Sequence, residues 1–221
     1  MPSRDLPAVL KALFDAERTV RQAHDELVAA DPAVMPALLE LLEKETREAL
    51  DLDAVDEDES CLRLVRVAGL LGELHGARVV DLLVEILCSD EPEARHAAGE
   101  ALSELAWDRF KEVALGVERA LERLPAGSTA LSELPYMLAE VPEPGVRRLL
   151  ERFLAHSDPD AVAAAIEALV EIGDPAAVPL LDPLANDERK VQLEDEGGTE
   201  GDATIGELVA EARILLGKRG P

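Results

Sequence analysis

The residues of this chain that could do chemistry are four histidines, two cysteines, two acidic runs and one arginine cluster. His24, His75, His96 and His156 are scattered along the chain. No H-E-x-x-H or Cys-x-x-Cys spacing places two metal ligands on one face. His96 sits beside alanines in a helical pattern and reads as structural. Cys61 or Cys88 would need an oriented base to become a nucleophile. Cys88 follows Ile86-Leu87 at an apolar helix end and reads as packing. Neither a G-x-x-x-x-G-K-S/T nor a G-x-G-x-x-G loop occurs, so no phosphate cradle is predicted. The acidic run from Asp51 to Glu59 and the cluster Glu194, Asp195, Glu196, Glu200 and Asp202 lack the ligand spacing of a calcium loop. They read as solvated loops, the second as a hairpin turn. No catalytic, cofactor-binding or metal-ligating residue is therefore assigned.

Binding chemistry is easier to find. Arg147, Arg148 and Arg152 form a basic island in an acidic chain. They either pair locally with Glu140, Glu143 and Glu151 or dock an acidic or phosphorylated motif, since arginine forks match carboxylate and phosphate geometry. Trp107, Phe110 and Tyr136 could be an aromatic anchor. Helical spacing on apolar faces instead predicts core positions for all three.

The background that must position these groups is helical. Apolar residues make up 48% of 221 residues and aromatics only 2%, the usage of stacked helices rather than of sandwiches or barrels. The charge balance is 22 basic against 47 acidic residues, formally −25. Such a surface repels phosphate backbones and anionic membranes. Expected partners are proteins with basic or mixed surfaces, or cations; nucleic acid and membrane insertion are not expected. No stretch approaches the ~18 uncharged apolar residues that a membrane helix needs. The N-terminus is not followed by an apolar run typical of a signal peptide. With two isolated cysteines, the expected location is the reducing cytoplasm.

An internal repeat organises the chain. Among the copies of Leu-x-Glu-Leu/Ile/Val, those at Leu71–Leu74, Leu102–Leu105, Leu138–Val141 and Leu169–Ile172 place their glutamates 31, 36 and 31 residues apart. Shifting the chain by 67 residues superimposes Glu91-Pro92-Glu93-Ala94 on Asp158-Pro159-Asp160-Ala161, and Glu100-Ala101-Leu102 on Glu167-Ala168-Leu169. One helix earlier, Val79, Leu82, Leu83, Ile86 and Leu87 fall on Val146, Leu149, Leu150, Phe153 and Leu154. Each unit reads as two amphipathic helices that cannot bury their stripes alone. The predicted pairs are 16–50, 59–88, 91–124, 128–156 and 159–186, with a leading helix near 5–14. Val191–Leu193 and Ala203–Ile205 read as hairpin strands. Thr204 and Glu207 have capping-box spacing before a last helix. The expected fold is an all-α, α-α superhelix over 1–188, closed within the same domain by a hairpin-and-helix cap over 189–221.

The segments from Ser89 to Leu105 and from Ser157 to Ala161 onward resemble HEAT repeats, most closely the bacterial variety shared with phycobilisome lyases. The resemblance implies a right-handed superhelix with first helices outward and second helices lining a concave face. It also implies a scaffold or adaptor, not an enzyme, that binds another protein or an extended peptide. Residues expected on the concave face are Arg78, Asp81, Glu85, Lys111, Glu118, Arg148 and Arg152, with Arg147 alongside. The arginine typical of the first helix has a match at Arg95 and at Arg21, whereas the last unit has Val162. The alternative is a lyase-like module binding a tetrapyrrole or other small cofactor. No histidine begins the His-Glu dipeptide that supplies iron ligands in HEAT-type hydroxylases.

Overall fold

A computed structural model describes residues 5–51, 56–194 and 200–218. The helices are α1 (Leu6–Val28), α2 (Met35–Ala49), α3 (Glu57–Glu73), α4 (Ala77–Leu87), α5 (Pro92–Arg123), α6 (Thr129–Ala139), α7 (Gly145–Leu154), α8 (Pro159–Ile172) and α9 (Ile205–Gly217). A 3-10 helix spans Pro175–Leu184, and strands β1 (Lys190–Glu194) and β2 (Glu200–Thr204) form an antiparallel hairpin. The helices stack in series as antiparallel pairs, with α3 against α5 and α6 against α8. One continuous apolar core runs from Leu38 to Leu216 and takes in the hairpin and α9.

The repeat is structural as well as textual. Ala94 and Ala161, Ala98 and Ala165, and Leu102 and Leu169 are all buried. So are the five second-helix positions from Val79 to Leu87 and their counterparts from Val146 to Leu154. Local chemistry sets the helix ends. Pro92 and Pro159 open α5 and α8, where a missing N–H leaves no acceptor wanting. Gly173, at φ 71°, ends α8 in the left-handed conformation that only glycine adopts freely. Thr204 and Glu207 form the expected capping box.

Several expectations need correction. The leading helix and the first helix of pair one are a single 23-residue helix, because no glycine or proline stands between Pro7, tolerated in the first turn, and Ala29. None of its residues is buried, so Val20, Ala23 and Leu27 are not core. The acidic run ends sooner than its composition suggested. Asp56 caps α3 by accepting from the Glu59 N–H, and Glu57, Asp58 and Glu59 form its first turn, where carboxylates favour the helix dipole. Residues 52–55 of that run, and 195–199 of the predicted hairpin turn, lie outside the described residues. The expected turn inside 91–124 is a kink at Arg109 (φ −139°, ψ 47°) that joins two limbs of α5. The last second helix is 3-10, because Pro179 and Pro183 remove the N–H groups of an α-ladder. Ile205 opens α9 instead of extending the return strand.

Carboxylates stitch one turn to the next repeat. Glu112 accepts from the Gly76 N–H at 2.7 Å, while Arg109 donates to the Leu74 carbonyl at 2.8 Å. Asp158, almost wholly buried, accepts from Gly127 at 2.7 Å and from Asp160 at 3.0 Å, capping α8 with its other oxygen. Backbones also approach closely. A Cβ on Gly116 of α5 would overlap the Val80 side chain of α4, so only glycine lets these helices meet. Asp158→Ala removes a cap and leaves the Gly127 N–H without an acceptor. The expected loss is about 2–3 kcal/mol in denaturant unfolding, and less for Asp158→Asn. Gly116→Ala is expected to cost about 1–3 kcal/mol, with Val80→Ala recovering part of it in the double variant.

Candidate binding surface

The second helices α2, α4, the latter limb of α5, and α7 present the residues expected to capture a partner. Most are engaged with one another. Arg78 pairs with Glu43 of α2 at 2.7 Å and with Glu85 at 3.5 Å. Glu85 also holds Arg123 of α5 at 3.2 Å, and Asp81 holds Arg119 at 2.9 Å. The Arg78 guanidinium, donating to Glu43, keeps that carboxyl below its usual range. Further along, Arg152 bridges Glu118 at 2.9 Å and Glu122 at 3.1 Å. Arg147 reaches Asp174 at 3.1 Å, and Arg213 of α9 pairs with Asp182 of the 3-10 helix. The second-helix face is thus a ladder of ion pairs between neighbouring repeats. Two of the three arginines of the island, Arg147 and Arg152, are paired, but across helices and not with Glu140, Glu143 or Glu151. Of the residues expected there, only Lys111 and Arg148 are exposed without an ion-pair partner among the described residues.

The first-helix face carries what the sequence reading placed in the core. Trp107, the single tryptophan, is 59% exposed, and Tyr136, the single tyrosine, is 40% exposed. Of the three proposed core aromatics only Phe110 packs against the core. Periodicity misled here because Trp107 lies one position past Ala106 on α5, and Tyr136 one before Met137 on α6. Each is just outside the buried stripe. No sequence signal separated them from it.

Between the first limb of α5 and α6 lies a groove of about 590 Å³. Its walls include Glu100, Glu104, Glu133, Glu140, His96 and Tyr136. Arg95, the arginine matched to the family's first helix, crosses its floor by donating to the Ser89 carbonyl at 3.0 Å and lying 3.9 Å from Glu133. His96 lies 3.5 Å from Glu100. Glu104 and Glu140 have no partner among the described residues, so the groove is open and negative. At its α8 side the Tyr136 hydroxyl donates to Glu167 at 2.5 Å. Burial first, and then Glu167 beside it, pushes the Tyr136 phenol well above its ordinary range.

The cysteines offer no activated nucleophile. Burial, with Glu93 and Glu91 nearby, raises the Cys61 thiol, and burial raises that of Cys88. Both are unpaired. Among the described residues no group of three or more potential ligands could hold a metal ion, and no helix is long and apolar enough to cross a membrane.

Residues 132–193 match the family model of HEAT repeats. The match runs from α6 through most of β1 and covers the later copy of the duplicated block. Comparison with curated proteins gives no match. Among solved structures, the crystal structure of an engineered protein is 18% identical, with 92% of each chain covered and a TM-score of 0.33. That superposition is too loose to bear on the fold. HEAT repeats commonly serve as protein-interaction scaffolds, and the HEAT-like stack here displays two long, chemically different faces.

The single tryptophan and tyrosine make this surface measurable. Trp107 should show the red-shifted emission of a water-exposed indole and be quenched readily by acrylamide. The phenol absorbance of Tyr136 should titrate above the ordinary value of about 10. Its protonated form is favoured in the fold, so its contribution to stability is complete below that value and declines as pH rises beyond it. Glu167→Gln should lower the midpoint only part-way, because burial is the larger cause.

Proposed function

We propose that the chain is a non-catalytic interaction scaffold that binds an extended basic segment of another protein along its first-helix face. The observation that carries this reading is the open acidic groove between α5 and α6, with Tyr136 in its wall and Trp107 exposed at the far end of the same α5 limb. Exposed tryptophan and tyrosine offer large contact areas at low cost in rotamer entropy. Tyrosine and tryptophan faces also attract lysine and arginine. The carboxylates of the groove supply the rest of the charge match, and the chain's −25 steers cationic partners toward it.

The second-helix face favours an acidic or phosphorylated motif less. Arg147 and Arg152 already have carboxylate partners, so such a motif would have to displace them, with only Arg148 and Lys111 ready to bind. A tetrapyrrole adduct would call for a reactive thiolate, and both thiols are raised. Two unpaired cysteines fit a reducing cytoplasm.

The test uses Trp107 fluorescence with Lys/Arg-rich, neutral and acidic peptides of equal length. Basic peptides should shift Trp107 emission to the blue with micromolar affinity that weakens as salt is added. Trp107→Ala, followed by a labelled peptide, should lose roughly tenfold or more in affinity without changing the melting temperature, and Tyr136→Ala should lose as much while also lowering the melting temperature through its lost packing and Glu167 bond. Binding of acidic peptides that is lost in Arg148→Glu, with Trp107 unaffected, would move the site to the second-helix face.

A further inference from the structure

Helix α1 has a face that the other described residues of its chain leave uncovered. Leu6, Leu13, Val20 and Leu27 recur every seven residues, with Val9, Ala16 and Ala23 three positions after the first three of them. That is an apolar a/d seam over three heptads, the pattern of a helix that pairs with another helix. Yet no residue of α1 is buried, and exposure along the seam runs from 72% at Leu6 to 39% at Leu27. The helix touches the stack mainly through α3, its 23 residues span roughly 35 Å along its axis, and the rest of the chain follows from its C-terminal end.

We propose that α1 pairs antiparallel with α1 of a second copy of this chain. Two observations select that occupant and orientation. The first is charge. Residues 6–28 hold three basic and four acidic residues, so nearly all of the −25 resides on the stacked body. The seam positions themselves are uncharged, which gives a basic partner nothing to recognise. A parallel pair would set the two acidic bodies side by side. An antiparallel pair sets them at opposite ends of the helix, where screening over about 8–10 Å removes most of their repulsion.

The second observation is volume. In a parallel pair Leu13 would meet Leu13 while Ala16 met Ala16, and the alanine layers would leave voids. Antiparallel registry matches large with small in the layers of Leu6 with Ala23 and Leu13 with Ala16, and sets Val9 against Val20 of the second copy, six even layers in all. The intrahelical pairs Lys11–Asp15 and Arg21–Glu17 lie off the seam and stay intact. Three heptads bury on the order of 1,000 Å² in total, at the lower end for specific association, so the dimer is reversible and micromolar.

The experiment is sedimentation equilibrium of the full chain at physiological salt. The mass should rise from one chain toward two as concentration increases through tens of micromolar. Leu13→Glu should restore one chain mass at every concentration and leave the melting temperature unchanged, since no α1 residue is part of the core. In a Cys61→Ser/Cys88→Ser background, Val9→Cys and Val20→Cys chains should crosslink when mixed, and neither should crosslink alone. A monomer at all concentrations, a dimer that survives Leu13→Glu, or Val20→Cys crosslinking to itself would each overturn the proposal. A single-chain mass with the α1 amides protected from exchange would overturn it too, because the helix would then be folded onto its own body.

Discussion

Stacking is the constraint on which the rest of this molecule depends. Each helix pair has a buried stripe of alanine, leucine and valine too narrow to form a core alone. Ala98 and Ala165 are small so that first helices can approach their neighbours, and Gly116 is smaller still because Val80 occupies the space a Cβ would take. Close approach brings backbone turns from successive repeats within hydrogen-bond range. Glu112 and Asp158 exploit this by accepting from Gly76 and Gly127. The apolar seam is thus joined by polar contacts at two successive repeat junctions.

A stack of this kind has two ends, and the chain treats them differently. At the C-terminal end the hairpin and α9 cover α8 and the 3-10 helix with Val191, Ile205, Val209, Ala212 and Leu216, all buried. Arg189 fixes this cap by pairing with Asp187 at 2.6 Å while donating to the carbonyls of His156 and Ser157. At the N-terminal end, α1 covers almost nothing. Terminal units are expected to be polar on the outer side, but α1 is apolar there, and this departure is what gives its pairing with a second copy a physical motive.

Legibility in the sequence followed the same division. Positions set by the stacking period were readable: the five core positions of α4, their counterparts in α7, the alanines of α5 and α8, and the Thr204–Glu207 cap. Positions decided by a rotation of one residue were not. Trp107 and Tyr136 sit beside buried neighbours in sequence and outside them in space, and periodicity cannot resolve a shift of about 100° for a bulky side chain at the edge of a stripe. The partners of Arg78, Arg147 and Arg152 were equally hidden. Apart from Glu85, seven residues from Arg78, they lie 27–35 residues away in sequence, at Glu43, Asp174 and the pair Glu118 and Glu122, so no local spacing points to them. The length of α1 was missed because a repeat template was laid over a segment that lacks the repeat.

One cause then sorts the uses of the surface. With 25 net negative charges, basic residues are outnumbered, and the fold commits Arg78, Arg119, Arg123, Arg147 and Arg152 to holding second helices together across repeats. Ion pairs that are part-exposed contribute little each to stability, but they neutralise one face and leave the uncompensated carboxylates on the other. The acidic groove is therefore a consequence of how the stack balances its charge, not an isolated patch. The same charge acts oppositely on the two associations. Salt screens the attraction between the groove and a basic segment, yet it also screens the repulsion between two bodies joined through the uncharged seam of α1. A rise in ionic strength weakens the first and strengthens the second, so the two contacts respond in opposite directions to one variable.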